Sequence, residues 1–171
     1  MAKKISQDSP KVLGLDVSTK TIGWALFDIS TKNLLELTHI SPTPKPKVED
    51  KIEELILKSH IFKNKLESYV GMGITTVIIE EPLLNSNNIW TVGVLMRYNT
   101  LICNQVYEIL GIVPQFISTY NSRKFAFPYL VQHVDKGKFV LFGGLPKDSD
   151  KKVIIWEQVA KREPQIMWQY T

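Results

Sequence analysis

Residues 13–28 read LGLDVSTKTIGWALFD. An apolar run (Val12, Leu13, Gly14, Leu15) ends on one carboxylate, Asp16. A small, hydroxyl-rich turn follows (Ser18, Thr19, Lys20, Thr21), and then a second apolar run. A strand that is apolar at successive positions is covered on both faces, as in the middle of a sheet. A charge at its end is costly unless it is solvated, paired or shared with a cation. Asp16 therefore marks either an ordinary turn or a site built at a strand end.

The flanking sequence supplies the neighbours of that strand. Residues 11–17 and 21–29 read as consecutive strands, residues 30–33 as a turn, and residues 34–40 as a third strand closing an antiparallel meander. The stretch SPTPKPK (41–47) is a proline-broken connection. Residues 48–70 show helical spacing at Ile52, Leu55, Ile56, Phe62, Leu66 and Tyr69, with Gly71 placed as a C-cap. The β-branched run 75–79 predicts a buried strand ending at Glu80-Glu81-Pro82. A loop with three asparagines leads into a long helix over about residues 86–110, stopped by Gly111. Residues 112–118 predict a fifth strand, and residues 121–129 a helix start interrupted by Pro128. Residues 134–150 read as a loop or small hairpin. Asp148 or Ser149 then caps a helix running to about Arg162, before Pro164. The order is β-β-β-α-β-α-β, then a loop and a helix.

The chain has 171 residues, of which 44% are hydrophobic and 22% charged. That balance fits one globular domain over residues 11–171, preceded by a disordered tail over residues 1–10. The single cysteine, Cys103, excludes an internal disulfide and fits a reducing, cytoplasmic setting. The tail MAKKISQDSP has no apolar core and does not read as a signal peptide. The most apolar stretch, residues 89–110, contains Arg97, Asn99, Asn104, Gln105 and Glu108, too polar for a membrane span. A net charge of +4 and a pI near 9.1 leave room for a polyanionic partner.

Asp16 lies near the C-terminal end of the first strand, and Glu80 and Glu81 lie at that of the fourth. Neighbouring strands put such ends side by side, and ligand sites favour that edge. Carboxylates brought close together repel unless protonated or shared with a cation. Oxygen ligands without clustered histidine or cysteine suit Mg²⁺ or Mn²⁺. Two such ions about 3.5–4 Å apart activate water and stabilise a leaving oxygen in phosphodiester cleavage.

LGLDVSTKTIGWALFD resembles the first-strand motif of RuvC-type Holliday-junction resolvases and of the RuvC-like domains of CRISPR effector nucleases. VIIEEPLLNSNN (77–88) resembles the second motif of that family: an apolar strand, a metal-binding Glu, a bulky apolar residue, then Asn and a long helix. The resemblance implies an α/β, RNase H-like three-layer fold. Its mixed five-stranded sheet has three antiparallel strands followed by parallel ones, with helices on both faces. It implies Asp16 and Glu80 as metal carboxylates, with Glu81 ranked below Glu80. It places Leu83 where the family often has an aromatic wedge, and Lys151 and Lys152 where it places lysines on the scissile phosphate. The family's last metal carboxylates sit on a final helix, and this chain stops at QIMWQYT (165–171). The expectation is a chain shortened at the C-terminus, or one whose remaining metal ligands come from elsewhere.

Basic residues at Lys20, Lys124, Lys136, Lys138, Lys147, Lys151 and Lys152 suit phosphate contacts, and Asn88 opens the long helix beside the second motif. Of the interleaved aromatics, Phe125 and Phe127 read as core. The long helix is apolar on more than one face, which predicts a partner surface, and the resemblance implies a homodimer through it. The expected activity is metal-dependent cleavage of branched DNA. Two alternatives stay open: a catalytically incomplete binder of branched DNA, and a RuvC-like nuclease acting on RNA. A sugar-kinase-like phosphate loop is the remaining reading of the first motif. That fold needs two such domains, for which the chain is too short.

Overall fold

The computed structural model describes residues 9–82, 88–128, 131–134, 138–141 and 150–164. Leu83, Lys136 and Lys147 lie outside the described residues, as do residues 165–171 and nearly all of the tail. The chain divides into two compact units, Met1–Ser118 and Thr119–Thr171.

The first unit contains β1 (Lys11–Val17), β2 (Ile22–Asp28), β3 (Asn33–Ile40), α1 (Lys51–Glu67), β4 (Ile74–Glu80), α2 (Ile89–Leu110) and β5 (Gln115–Ile117). The strands form one sheet in the order β3-β2-β1-β4-β5. β1–β2 and β2–β3 pair antiparallel, whereas β1–β4 and β4–β5 pair parallel. The protein thus has the α/β fold with a mixed five-stranded sheet that the resemblance implies. One consequence is topological. The C-terminal ends of β1, β3 and β4 and the N-terminal end of β2 all share one edge of the sheet.

Strand alternation divides the sheet into two faces. Leu13, Leu15, Val17, Ile22, Trp24, Leu26, Val77 and Ile79 are buried on one face. Leu55, Phe62 and Leu66 of α1 and Tyr98, Ile102 and Val106 of α2 pack against them in a single core. Trp24 locks α1 in place: its ring lies 5.3 Å from Phe62 and 5.0 Å from Tyr69. Lys65 of α1 pairs with Glu36 at 3.4 Å, and the Tyr69 hydroxyl, in the turn after α1, donates to the same carboxylate at 2.7 Å, so this corner also ties α1 to β3. Val12, Gly14 and Asp16 face the other way, opposite Phe27, Ala25 and Gly23 of β2.

The helix ends follow capping rules. Asp50 accepts from the Glu53 N–H at 2.8 Å to start α1. α2 ends at Gly111, whose φ of 68° lets its N–H reach the Tyr107 carbonyl. Gly71 does not cap α1. That helix stops at Glu67 with Ser68 still right-handed, and Gly71 adopts φ 77° three residues later, inside the turn toward β4. The expected C-cap is displaced because the chain adds a tight turn, with Tyr69 folded back into the core.

The second unit contains α3 (Thr119–Ala126), a hairpin of β6 (Val131–Val134) and β7 (Lys138–Leu141), and α4 (Lys151–Arg162). The residue that caps α4 is Asp150, which accepts from the Lys152 and Val153 N–H groups, rather than Asp148 or Ser149. Phe127 is buried as expected, but Phe125 is 77% exposed. Phe125 sits in the last turn of an eight-residue helix, too short to bury more than one face. Among the described residues no helix is long and apolar enough to cross a membrane.

Candidate active site

Asp16 and Glu80 come together as the register dictates. β1 and β4 pair in parallel with Gly14 beside Ile78 and Leu15 beside Ile79, so the next step along each strand sets Asp16 beside Glu80. Both lie on the sheet face away from the α1/α2 core. Asp16 is exposed at the strand end, yet the partial desolvation it undergoes there raises its pKa above the ordinary value, and the neighbouring Glu80 charge raises it further.

Gly23 lies directly across from Asp16 on β2. A Cβ at that position would stand 3.4 Å from the Asp16 Cβ. The Gly-Trp pair of the second strand therefore has a divided task. Gly23 leaves space beside the carboxylate, and Trp24, turned the other way, anchors α1.

A cleft of about 270 Å³ opens over the pair. Its walls are Val17 and Ser18 after β1, Glu81 and Pro82 after β4, and Thr91, Val92 and Leu95 from the start of α2. Glu81 is exposed, and alternation turns it from Glu80 toward α2. Its N–H donates to the Ile117 carbonyl at 2.8 Å, extending the β4–β5 ladder by one step. It also borders a groove with Met96, Asn99, Cys103 and Phe116. Among the described residues, no group of three or more His, Cys, Asp or Glu side chains is placed to hold a metal ion. Asp16 and Glu80 remain as a pair.

The turn after Asp16 is held rigidly. The Ser18 Oγ accepts from the N–H groups of Lys20 and Thr21 at 3.3 and 3.0 Å and donates to the Thr21 carbonyl at 2.8 Å. Lys58 reaches from α1 and donates to the Thr19 carbonyl at 2.8 Å. Its Nζ also pairs with Glu54 at 2.6 Å, one helical turn away. A mostly buried lysine thus clamps the loop that carries the site.

Asn88 has a definite local role. It caps α2 by accepting from the N–H groups of Trp90 and Thr91 at 3.1 and 3.2 Å. Lys20 stands exposed at the same edge of the sheet as Asp16. Lys124, Lys138, Lys151 and Lys152 all belong to the second unit: Lys124 on α3, Lys138 opening β7, and Lys151 and Lys152 opening α4 with Lys152 exposed. Trp90 is the feature that sequence reasoning missed. It is 82% exposed in the first turn of α2, beside Ile89 at 79%. Two large apolar residues immediately after an N-cap, where polar residues are usual, were the available signal.

No family model matches the chain, and no match was found among curated proteins. Among solved structures, RuvC of T. thermophilus in complex with a Holliday junction substrate is similar, with a TM-score of 0.53, 14% identity and 68% of each chain covered. A Thermus thermophilus RuvC structure is also similar, with a TM-score of 0.49, 17% identity and 67% of each chain covered. The first of these likenesses shows that the chain has a RuvC-like fold.

Proposed function

We propose that this protein is a divalent-metal-dependent endonuclease acting on branched DNA. The observation that carries the reading is the Asp16–Glu80 pair. Two carboxylates on adjacent parallel strands share one face, beneath an open cleft at the strand ends. Two acids set side by side at the strand ends raise the Asp16 pKa, the kind of perturbation that gathers at functional sites. The likeness to a RuvC bound to a Holliday junction supports branched DNA as the substrate class.

The donor set fits one hard cation. Mg²⁺ and Mn²⁺ accept one or two protein carboxylates and complete their coordination with water and substrate phosphate. Asp16 and Glu80 would hold that ion. The second ion of the expected pair finds no third acid among the described residues. When bound, the cation supplies Lewis-acid activation of water and polarisation of the phosphodiester.

The chain's own groups do the rest. The Ser18 turn and the Asn88-capped start of α2 form the walls that set the depth of the cleft. Trp90 presents a large exposed ring to unpaired bases at a branch point. Lys151 and Lys152 offset phosphate charge in this reading, and Lys124 and Lys138 extend the contact to the backbone. A homodimer through α2 would set two such clefts on two strands, with exposed Met96 and Tyr107 as its apolar contacts.

A second reading is favoured by the lack of a third acid among the described residues: a binder of branched DNA that does not cut it. One experiment separates the two. The Asp16→Asn variant is expected to lose Mg²⁺-dependent cleavage of four-way junctions by at least about a hundredfold, as for removal of a metal-held catalytic centre, and to keep its affinity for them. Unchanged cleavage refutes the site. Tight binding with no cleavage by the wild type in either Mg²⁺ or Mn²⁺ supports the non-cutting binder. Parallel assays with RNA junctions decide the nucleic acid.

A further inference from the structure

A second concave site lies at the same sheet edge as Asp16. The 18–21 turn, the 41–48 connection and α1 enclose a pocket of about 370 Å³. Lys20, Lys47 and Lys58 line it, with Thr43 and one carboxylate, Glu54. Glu54 is already engaged twice, by Lys58 at 2.6 Å and by Lys51 at 2.7 Å. Lys20 and Lys47 are both exposed and carry no ion pair among the described residues. The pocket therefore keeps an excess of positive charge that the fold itself does not neutralise.

The pocket is also preorganised. Lys58 pins the Thr19 carbonyl from below. The Thr21 and Ser41 hydroxyls meet at 3.5 Å, and Thr43 donates to the Ser41 carbonyl at 3.2 Å. Pro42 is buried, and prolines at 42, 44 and 46 restrict the backbone of this wall. Such rigidity is not needed for solvated surface lysines.

We propose that this pocket is a phosphate subsite for the DNA backbone, with Lys20 and Lys47 as its binding charges; the proposal rests on the reading of the chain as a DNA-binding nuclease. Ser18 walls the cleft over Asp16 and Glu80, and Lys20, two residues on, walls the pocket. The same short turn separates the two sites. A strand whose scissile phosphate lies over the acid pair crosses that turn and delivers a flanking phosphate to the lysines. The subsite also answers an electrostatic problem. Two clustered carboxylates repel a polyanion, and a fixed positive pocket beside them restores attraction. Lysines act as point charges, which suits phosphate oxygens presented from varied sequences.

The test measures junction affinity against salt in EDTA, so that no cleavage intervenes. The probes are a four-way DNA junction and a linear duplex. The Lys20→Ala/Lys47→Ala double variant is compared with wild type and with Lys32→Ala, whose lysine is exposed at the opposite edge of the sheet. Each lost phosphate contact lowers the slope of log K against log salt by about 0.9. The double variant is expected to lose about one to two units of slope, and Lys32→Ala none. A loss in Lys32→Ala of half that in the double variant or more, that is, an equal loss per charge removed, reveals a bulk charge effect and overturns the subsite. An unchanged slope in the double variant, with a wild type that binds, overturns the subsite alone. A wild type that binds neither probe overturns the nuclease reading together with it.

Discussion

Asp16 carries a cost in the metal-free fold. Its pKa is raised by burial and by Glu80, so the folded state holds its proton more tightly than the unfolded chain does. The sign follows from linkage. The favourable contribution exists at low pH, where Asp16 is protonated. It is lost as pH rises through the raised pKa. At neutral pH the charged pair is thus mildly unfavourable, an effect that solvent reduces because Asp16 is exposed. Asp16→Asn removes that charge and is expected to raise Tm in EDTA. Adding Mg²⁺ or Mn²⁺ reverses the ranking. A cation at ten times its Kd stabilises the wild type by about 1.4 kcal/mol and leaves the variant unmoved. The cation effect weakens on acidification at a higher pH than for an ordinary aspartate, because protons compete for the same oxygens. Thermal melts at several pH values measure all of this, and a cation-induced shift that survives in Asp16→Asn refutes the metal site.

At the scale of elements, the clamp between α1 and the 18–21 turn fixes the loop that follows Asp16. The Lys58 and Glu54 side chains are only 11% and 24% exposed, and Lys58 also satisfies the Thr19 carbonyl. Lys58→Met keeps the packing of the stem and removes both polar partnerships. The expected cost is about 1–3 kcal/mol, the penalty for leaving a shielded acceptor unpaired. Urea unfolding measures the loss. Faster amide exchange at Lys20 and Thr21 would locate it in the turn, and unchanged exchange there refutes the clamp. The sequence offered half of this contact: Lys58 falls three residues after Leu55 and four before Phe62, on the buried face of α1, but its partner is a backbone carbonyl 39 residues earlier, which no local pattern reveals. Local patterns were legible where one rule dominates. The bounds of β1, the acids at the ends of β1 and β4, and the Gly111 stop all follow from strand alternation or capping. Gly71 and Phe125 were misjudged, and the exposure of Trp90 was missed, because their placement depends on turn length and on how many faces a helix buries. The long α2 shows the same limit. Its apolar excess is partly absorbed by burial of Tyr98, Ile102 and Val106, while Met96 and Tyr107 stay exposed among Arg97, Thr100, Asn104 and Glu108.

On the scale of the whole molecule, the two compact units divide the chemistry unevenly. The five-stranded sheet, the core it shares with α1 and α2, and both acids of the candidate site lie within Met1–Ser118. The lysines read onto the scissile phosphate lie in Thr119–Thr171. A fragment ending at Ser118 keeps every strand pairing of the main sheet and every residue of its buried cluster. It is expected to unfold as one cooperative transition and to retain the Mg²⁺- or Mn²⁺-induced rise in Tm, because Asp16 and Glu80 need only β1 and β4 to meet. Its affinity for junction DNA should fall, since the lysines of α3, β7 and α4 are gone. Melts of the fragment and the full chain, with and without the cation, provide the comparison. Equal shifts assign the cation site to the sheet alone. A fragment that folds but shows no shift would mean that residues after Ser118 supply an essential ligand, and the pair at the strand ends would then be half of the site rather than its whole.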